Sequence, residues 1–195
     1  MPSPKTTSTL TFKPLTKELW KDFESLFGQR GACGGCWCMS WRLSRAEFNA
    51  NKGERNRESM KRIVASGPAP GILAFDGERA VGWCAVAPRE RYPALARSRI
   101  FAPIDSQSVW SISCIFIAKP YRNKGVSSQL IKAAVDLVRK QGGKIVEGYP
   151  QDLKEQKLPD AFVWTGLSPA FKRAGFHVAA RRSAKRPIMR YKIGS

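Results

Sequence analysis

A short basic turn at residues 122–127 carries the strongest chemical signal in this sequence, because it joins two patterned segments. The apolar run from Val109 to Ala118 predicts a buried strand, and the apolar spacing after the turn predicts a helix from Gly125 to Gln141. The first N–H groups of such a helix are unpaired and point outward, where the helix dipole favours negative charge. The turn therefore predicts a site for a ligand that carries phosphates.

A second reactive segment spans residues 28–41 and is rich in glycine, cysteine and tryptophan. Cys33, Cys36 and Cys38 have spacings found in metal sites, but zinc usually needs a fourth ligand, which would come from elsewhere in the chain. Arg30 and Arg42 would instead lower a thiol pKa and favour a redox or thiolate role. Metal binding, redox chemistry and simple packing all stay open for this loop.

The other cysteines and the single histidine carry weaker signals. The chain has five cysteines, an odd number, and we expect no structural disulfides. Cys84 and Cys114 lie inside apolar runs and are predicted to be small core residues. His177 follows the predicted helix end at Gly175, where we expect a structural or surface role.

Length and composition indicate one domain at residues 9–195 after a disordered N-terminus at residues 1–8. No apolar run approaches the roughly 20 residues that span a bilayer, and the first residues lack the apolar core of a secretory signal, so we expect a soluble, cytoplasmic protein. The net charge of +19 attracts polyanions, which makes nucleic-acid binding an alternative function.

The remaining elements can be placed by their patterns. A strand at Leu10–Pro14 precedes a helix from Thr16 to about Phe27, and a second helix runs from the capping box of Ser44 and Glu47 to about Ala65. A hairpin turns at Asp76 and Gly77. Further segments are a long connection at residues 87–105, a strand at 145–149, a polar loop at 151–159, a helix from Leu167 or Ser168 to Gly175, and strands at 177–180 and 188–193. The predicted order is β-α-α-β-β-β-α-β-α-β-β.

With this order, the chain resembles the GNAT superfamily of N-acetyltransferases. The resemblance rests on the turn Arg122-x-x-Gly125-x-Ser127, on the element order from about Leu10 to Ile193, and on the aromatic-x-x-x-Gly-Phe ending at Phe171–Phe176. It implies an α+β fold with a mixed, mostly antiparallel central sheet and flanking helices. It also implies acetyl-CoA as co-substrate.

The resemblance further implies which residues hold the donor. Backbone N–H groups of the turn would bind the pyrophosphate, basic side chains would add charge, and the preceding strand would bind the pantetheine arm through its backbone. These cofactor-binding positions are Phe116, Ile117, Arg122, Asn123, Lys124, Gly125, Val126 and Ser127.

The catalytic residues that are usual in the family do not match this chain. Ser111 stands where many members have a carboxylate base, and Phe171 stands where many have a tyrosine acid. Glu147 and Tyr149 share strand parity at the end of the neighbouring strand, and Ser168 lies one turn before Phe171. We therefore predict Glu147, Tyr149 and Ser168 as catalytic candidates, with a water chain as the alternative.

The sequence thus predicts an N-acetyltransferase that acts on an amine, more readily a small molecule than a protein. The resemblance implies that the segment between the first two helices borders the acceptor pocket. Trp37, Met39 and Trp41 would then form an apolar or cation-binding wall, since the faces of Trp rings attract ammonium groups. The alternatives are a basic nucleic-acid-binding protein or a metal or redox module on the Cys33-Cys36-Cys38 loop. We expect a monomer or homodimer that does not bind membranes.

Overall fold

The computed structural model describes residues 9–153, 159 and 162–194. The predicted disordered segment 1–8 lies outside the described residues, as do residues 154–158 of the predicted polar loop 151–159. The elements follow the predicted order, with three differences in the helices. Their bounds are β1 Thr11–Pro14, α1 Trp20–Phe27, α2 Arg45–Ala50, α3 Glu54–Ser66, β2 Gly71–Asp76, β3 Arg79–Pro88, α4 Pro93–Ala96, β4 Trp110–Ile117, α5 Val126–Lys140, β5 Ile145–Gly148, α6 Ser168–Arg173, β6 His177–Arg181 and β7 Pro187–Lys192.

In the described part of the chain, seven strands form one sheet in the order β1-β2-β3-β4-β5-β7-β6. Every neighbouring pair is antiparallel except β4 and β5. The predicted α+β class with a mixed, mostly antiparallel sheet is therefore confirmed.

Helices cover both faces of the sheet, because the central strands are apolar on both sides. The amphipathic helix α5 buries Leu130, Ile131 and Val138 against one face. Helices α1 and α3 bury Phe23 and Met60 against the other face, around Trp83 of β3. None of the helices in the described residues is both long and apolar enough to cross a bilayer.

Strands β4 and β5 separate soon after they meet. Their parallel pairing covers three positions, from Trp110–Val146 to Ile112–Gly148. Beyond Ile112, the backbone of β4 continues on its β3 side as far as Ile117. On its other side, Ile115 N–H donates to Trp164 O at 2.6 Å. A cleft therefore opens along the second half of β4.

The three differences concern helix boundaries and one short helix. Helix α1 begins at Trp20, after a turn at the predicted N-cap Thr16. The predicted helix from Ser44 to Ala65 is two helices, although its capping box is present. The chain breaks at Gly53, whose φ is 85°. The long connection that was predicted without elements contains the short helix α4.

The break at Gly53 is explained by contacts with residues 28–41, which we call the Gly/Cys loop. Gly53 N–H and Asn56 Nδ2 both donate to Gly35 O, at 3.0 and 3.1 Å. A Cβ on Gly35 would overlap the backbone of Gly53. Glycine is therefore needed at both 35 and 53, where the loop meets the start of α3. A continuous helix through residue 53 would leave no room for this contact.

Gly148 offers a test of the packing between β5 and α6. A Cβ at Gly148 would overlap the ring of the buried Phe171. We expect Gly148→Ala to lower the free energy of unfolding by about 1–3 kcal/mol through overpacking, measured by urea denaturation. Gly67→Ala is the control, because its backbone is extended and a Cβ there meets no atom within 4 Å. Equal stabilities of the two variants would contradict this packing.

Candidate acyl-donor and acceptor site

The basic turn has the geometry of an anion site. Asn123 and Gly125 both have left-handed backbone angles, with φ of 60° and 76°, and α5 begins directly afterwards at Val126. No described side chain caps this helix start, and Ser128 Oγ donates instead to Gly125 O at 2.8 Å. A Cβ on Gly125 would stand in open space. The first N–H groups of α5 thus face an open volume.

A cavity of about 950 Å³ connects this turn to the Gly/Cys loop along the open side of β4. Ser113 to Ile117 form its length. This volume lies at the upper end of what a ligand pocket usually has. One end is lined by Lys119, Arg122, Asn123, Gly125, Val126, Ser127 and Arg173, and the other by Ala32, Cys33, Cys36, Cys38, Ser40, Trp41, Phe48 and Trp164.

Seven of the eight predicted cofactor positions line this cavity. The exception is Lys124, whose Nζ lies 5.8 Å from the centre of the Tyr121 ring. Arg122 Nε donates to Ile117 O at 3.0 Å, so the guanidinium is held beside the open strand. Among the described lining residues, three are basic and none is Asp, Glu, His or Tyr. The charge of the described wall therefore suits an anionic ligand.

The predicted acceptor wall needs a correction. Trp41 lines the cavity, but Trp37 and Met39 are buried in the core beneath α1. The backbone at Trp37 and Cys38 is left-handed, with φ of 43° and 61°. This turn directs the Trp37 ring inward, where it stacks on Phe27 at 5.7 Å between ring centroids.

The cavity wall carries thiols, which sequence reasoning did not assign to it. Cys33, Cys36, Cys38 and Cys114 all line the cavity, and all are free. Trp83 Nε1 donates to Cys38 Sγ at 3.3 Å. Cys114 is buried in the core cluster around Trp83, as predicted, and it also lines the cavity, because it lies two positions before Phe116 on β4 and shares its face. The alternation of side chains along β4 was thus the sequence signal that could have placed Cys114 on the cavity wall.

The thiol pair has opposite pKa shifts. The neighbouring Cys114 side chain, the Trp83 N–H and the nearby Arg42 charge lower the pKa of Cys38, although burial opposes this. The same pairing and burial raise the pKa of Cys114 well above its usual range.

Within residues 9–153, 159 and 162–194, no three metal-binding side chains gather in a way that could hold a metal ion.

Glu147 and Tyr149 lie together, as their strand parity predicted, but behind the cavity wall. Tyr149 OH donates to Glu147 Oε2 at 2.7 Å and lies 2.9 Å from Ser111 Oγ. All three side chains are buried. Glu147 lines a separate cavity of about 250 Å³, and the Tyr149 ring packs edge-on against Trp41 with centroids 5.5 Å apart.

Two arginines and an aspartate hold this buried group in place. Arg89 donates to Tyr149 OH at 2.6 Å, and Arg190 Nε donates to Glu147 Oε1 at 2.7 Å. Arg190 also donates to both carboxylate oxygens of Asp105, at 2.5 and 3.1 Å. Burial and the neighbouring Glu147 charge raise the pKa of Tyr149, so its hydroxyl keeps its proton at neutral pH.

The remaining candidates also lie away from the large cavity. Ser168 is buried at the start of α6, while its neighbours Leu167, Pro169 and Ala170 form the wall. Phe171 is buried against Gly148. His177 is exposed on β6. The catalytic roles of Glu147, Tyr149 and Ser168 therefore stay predictions, and each would act through an intervening group.

Comparison with known proteins agrees with this geometry. The sequence model of the acetyltransferase (GNAT) family matches residues 37–155. Among solved structures, PaiA N-acetyltransferase from Thermoplasma acidophilum in complex with coenzyme A has a TM-score of 0.53 at 13% identity, covering 95% of this chain and 99% of that one. A GNAT acetyltransferase from Listeria monocytogenes has a TM-score of 0.57 at 7% identity, covering 94% and 95%.

The NatC complex bound to Gag peptide and CoA is also similar, with a TM-score of 0.54 at 11% identity, covering 95% of this chain and 99% of that one. No curated protein matches the sequence. The identities are low, so the solved structures establish the fold alone, but the family match spans more than half of the chain. The chain belongs to the GNAT family of acetyltransferases, as its resemblance implied, and acetyl-CoA fits it as co-substrate.

The Asp105–Arg190 pair predicts a pH dependence of stability. The Arg190 hydrogen bonds hold the pKa of Asp105 below its usual range. This stabilisation is present above the unfolded-state pKa of about 3.9 and is lost as pH falls through the lower folded-state value. We expect Asp105→Asn to be less stable than wild type at pH 7 and to lose less stability between pH 4 and 2, measured by urea denaturation.

Glu78→Gln is the control for Asp105→Asn, because it removes one negative charge from an exposed turn. It should follow the wild-type pH dependence. If the free energy of unfolding of Asp105→Asn fell with pH as steeply as that of wild type, the Asp105–Arg190 pair would not contribute to acid sensitivity.

Proposed function

We propose that this protein transfers an acetyl group from acetyl-CoA to the amine of a small, largely uncharged aromatic or apolar molecule. The observation that carries this proposal is one cavity along the open side of β4, which joins the basic turn to the far wall. This wall is formed by Cys33, Cys36, Cys38, Trp41, Phe48 and Trp164. A donor bound at the turn and an acceptor bound at the wall would then meet beside β4, as transfer requires.

The donor half of the proposal rests on charge and backbone geometry. The pyrophosphate of CoA would accept hydrogen bonds from the N–H groups of residues 123–127, where two left-handed residues precede the helix. Lys119, Arg122 and Arg173 on the wall would balance its charge. The pantetheine arm would follow Phe116 and Ile117, which would bring the thioester to the level of Cys114.

The acceptor half rests on the composition of the far wall. Trp41, Phe48 and Trp164 give it aromatic surface, and Trp41 packs edge-on against Trp164 at 5.3 Å between centroids. The described lining residues include no carboxylate that would attract a polycation. An amine with one positive charge and an apolar body would fit such a wall, since its ammonium can bind to a Trp face.

Donor binding can be tested at Gly125 with a matched control at the other end of the same helix. Gly125 and Gly142 have φ of 76° and 77°, and a Cβ at either meets no atom within 4 Å. Both Gly→Glu variants should therefore lose about 1–2 kcal/mol of stability from backbone strain. Only Gly125→Glu should lose the thermal shift with acetyl-CoA, because its carboxylate would repel the pyrophosphate.

Wild type in acetyl-CoA at about 100 times its Kd should gain about 2.7 kcal/mol. Absence of any shift at millimolar acetyl-CoA would refute donor binding. An equal loss of the shift in Gly125→Glu and Gly142→Glu would refute the turn as its location.

The acceptor class can be tested by measuring CoA release by chromatography. Wild type should acetylate aromatic monoamines such as phenethylamine more efficiently than spermidine or peptide N-termini. Trp41→Ala should raise the acceptor KM by about fivefold, because a lost cation–π or ring contact costs on the order of 1 kcal/mol. Trp41→Phe, which keeps a ring, should retain most of the affinity.

The Kd for acetyl-CoA should stay within about twofold of wild type in both Trp41 variants, because the wall lies beyond the thioester. Preference for spermidine, or an unchanged acceptor KM in Trp41→Ala, would refute the proposed acceptor class.

A further inference from the structure

Cys33 and Cys36 stand at the two ends of one tight turn in the Gly/Cys loop. Cys36 N–H donates to Cys33 O at 3.1 Å, which closes a hydrogen-bonded turn of four residues. Between them, Gly34 and Gly35 have φ of 55° and 71°, the pair of left-handed angles that is typical of a type I′ turn. The ends of such a turn lie within about 7 Å of each other, and a disulfide joins Cα atoms about 4.4–6.8 Å apart. The backbone therefore brings the two cysteines into the range that a disulfide requires.

The two side chains also face the same space. Both Cys33 and Cys36 line the acceptor end of the large cavity, and both thiols are free. The turn between them is anchored, because Gly35 O accepts hydrogen bonds from Gly53 N–H and Asn56 Nδ2. A bond between the two sulfurs would thus order little backbone that is not ordered already, which keeps its entropic cost low.

The five thiols of the chain differ in their access to solvent. Cys33 is exposed and Cys36 is half-buried, while the other three are buried. Trp83 Nε1 donates to Cys38 Sγ at 3.3 Å, which holds the third sulfur of the loop in the core. A thiol must be accessible to react with an oxidant in solution. An oxidant therefore reaches Cys33 first, and Cys36 is the thiol placed to react with it next.

We propose that Cys33 and Cys36 are a reversible redox pair, which closes a disulfide at the acceptor end of the cavity. The oxidant is a small-molecule disulfide such as glutathione disulfide. The pair itself does not depend on the proposed acetyl transfer, whereas its effect on acceptor binding rests on that function.

The reaction is a thiol–disulfide exchange in two steps. The thiolate of Cys33 attacks one sulfur of glutathione disulfide, and the first glutathione leaves as a thiol with the proton that Cys33 lost. Cys36 then loses its proton and attacks the Cys33 sulfur of the mixed disulfide, and the second glutathione leaves with that proton. Two protein thiols are oxidised, and one glutathione disulfide is reduced to two glutathiones.

The bridge changes the acceptor end of the cavity and not the donor end. In the reduced protein, Cys36 Sγ donates to Gly31 O at 3.5 Å, and the oxidised sulfur has no proton to donate. Gly31 packs tightly against the Trp37 ring, so a shift at Gly31 would disturb the segment that leads to Trp41. We expect the acceptor KM to rise about fivefold on oxidation, as for the loss of one hydrogen bond. The Kd for acetyl-CoA should stay within about twofold, because the basic turn lies at the other end.

The bridge can be detected by mass after incubation with glutathione disulfide, acid quenching and alkylation in denaturant. All three cysteines of the loop lie between Arg30 and Arg42, so one tryptic peptide reports on them. Its fragment masses should show an alkylated Cys38 and a Cys33–Cys36 pair that lacks two hydrogens. Dithiothreitol should make both thiols available for alkylation again.

Cys36→Ser should trap the first step. This variant keeps the exposed Cys33 but lacks the second thiol, so a glutathione adduct should accumulate on Cys33. Cys33→Ser should form neither adduct nor bridge within the loop. Cys38→Ser is the matched control, because it removes the third thiol of the loop and should still form the bridge as wild type does.

Three mass results in wild type would overturn the redox pair. These are free thiols at both Cys33 and Cys36 after oxidation, a bridge between Cys36 and Cys38, and a glutathione adduct that persists on Cys33.

The effect on the acceptor is measured with phenethylamine and chromatographic CoA release, before and after oxidation. Cys33→Ser is the control, since its KM should not respond to glutathione disulfide. An unchanged KM in oxidised wild type would refute the effect of the bridge on the acceptor end. Absence of acetylation by reduced wild type would instead refute the proposed transfer, and the masses would still decide the redox pair.

Discussion

The separation of β4 from β5 after Ile112 is the constraint on which the candidate site depends. Backbone groups of a central strand are normally paired on both sides, and those left open need other partners. Here Ile115 N–H, on the open side of β4, donates to Trp164 O, and a cleft extends along this side to the turn at the start of α5. The sheet thereby places a helix N-terminus, an open strand edge and the Gly/Cys loop around one volume.

Much of this architecture follows from local patterns. The periodicity of residues 109–141 gives β4, the turn and α5 within a residue or two, because a buried strand and an amphipathic helix have distinct spacings. The hairpin at Gly77 and the capping box at Ser44 follow from turn and cap chemistry. These features depend on neighbours in sequence, which is why the sequence alone predicts them.

The parts that escaped prediction depend on contacts between distant segments. The break at Gly53 exists because Gly35 approaches it, and the inward turn at Trp37 exists because Phe27 and α1 receive its ring. Likewise, the placement of Cys38 beside Trp83 and Cys114 joins three segments that are far apart in the chain. Periodicity and spacing contain no information about such contacts, so the sequence could not show that Trp41 lines the cavity while Trp37 and Met39 are buried.

The shared acceptor at Gly35 O has a consequence for engineering this fold. Hydrogen bonds from Gly53 N–H and Asn56 Nδ2 hold the Gly/Cys loop against the first turn of α3. Replacing the loop of this chain with another sequence would thus leave the buried side-chain amide of Asn56 without its acceptor if the carbonyl of residue 35 moved. Residues 31–56 therefore form the smallest cassette that can be exchanged, and recombination libraries should place their crossovers outside it.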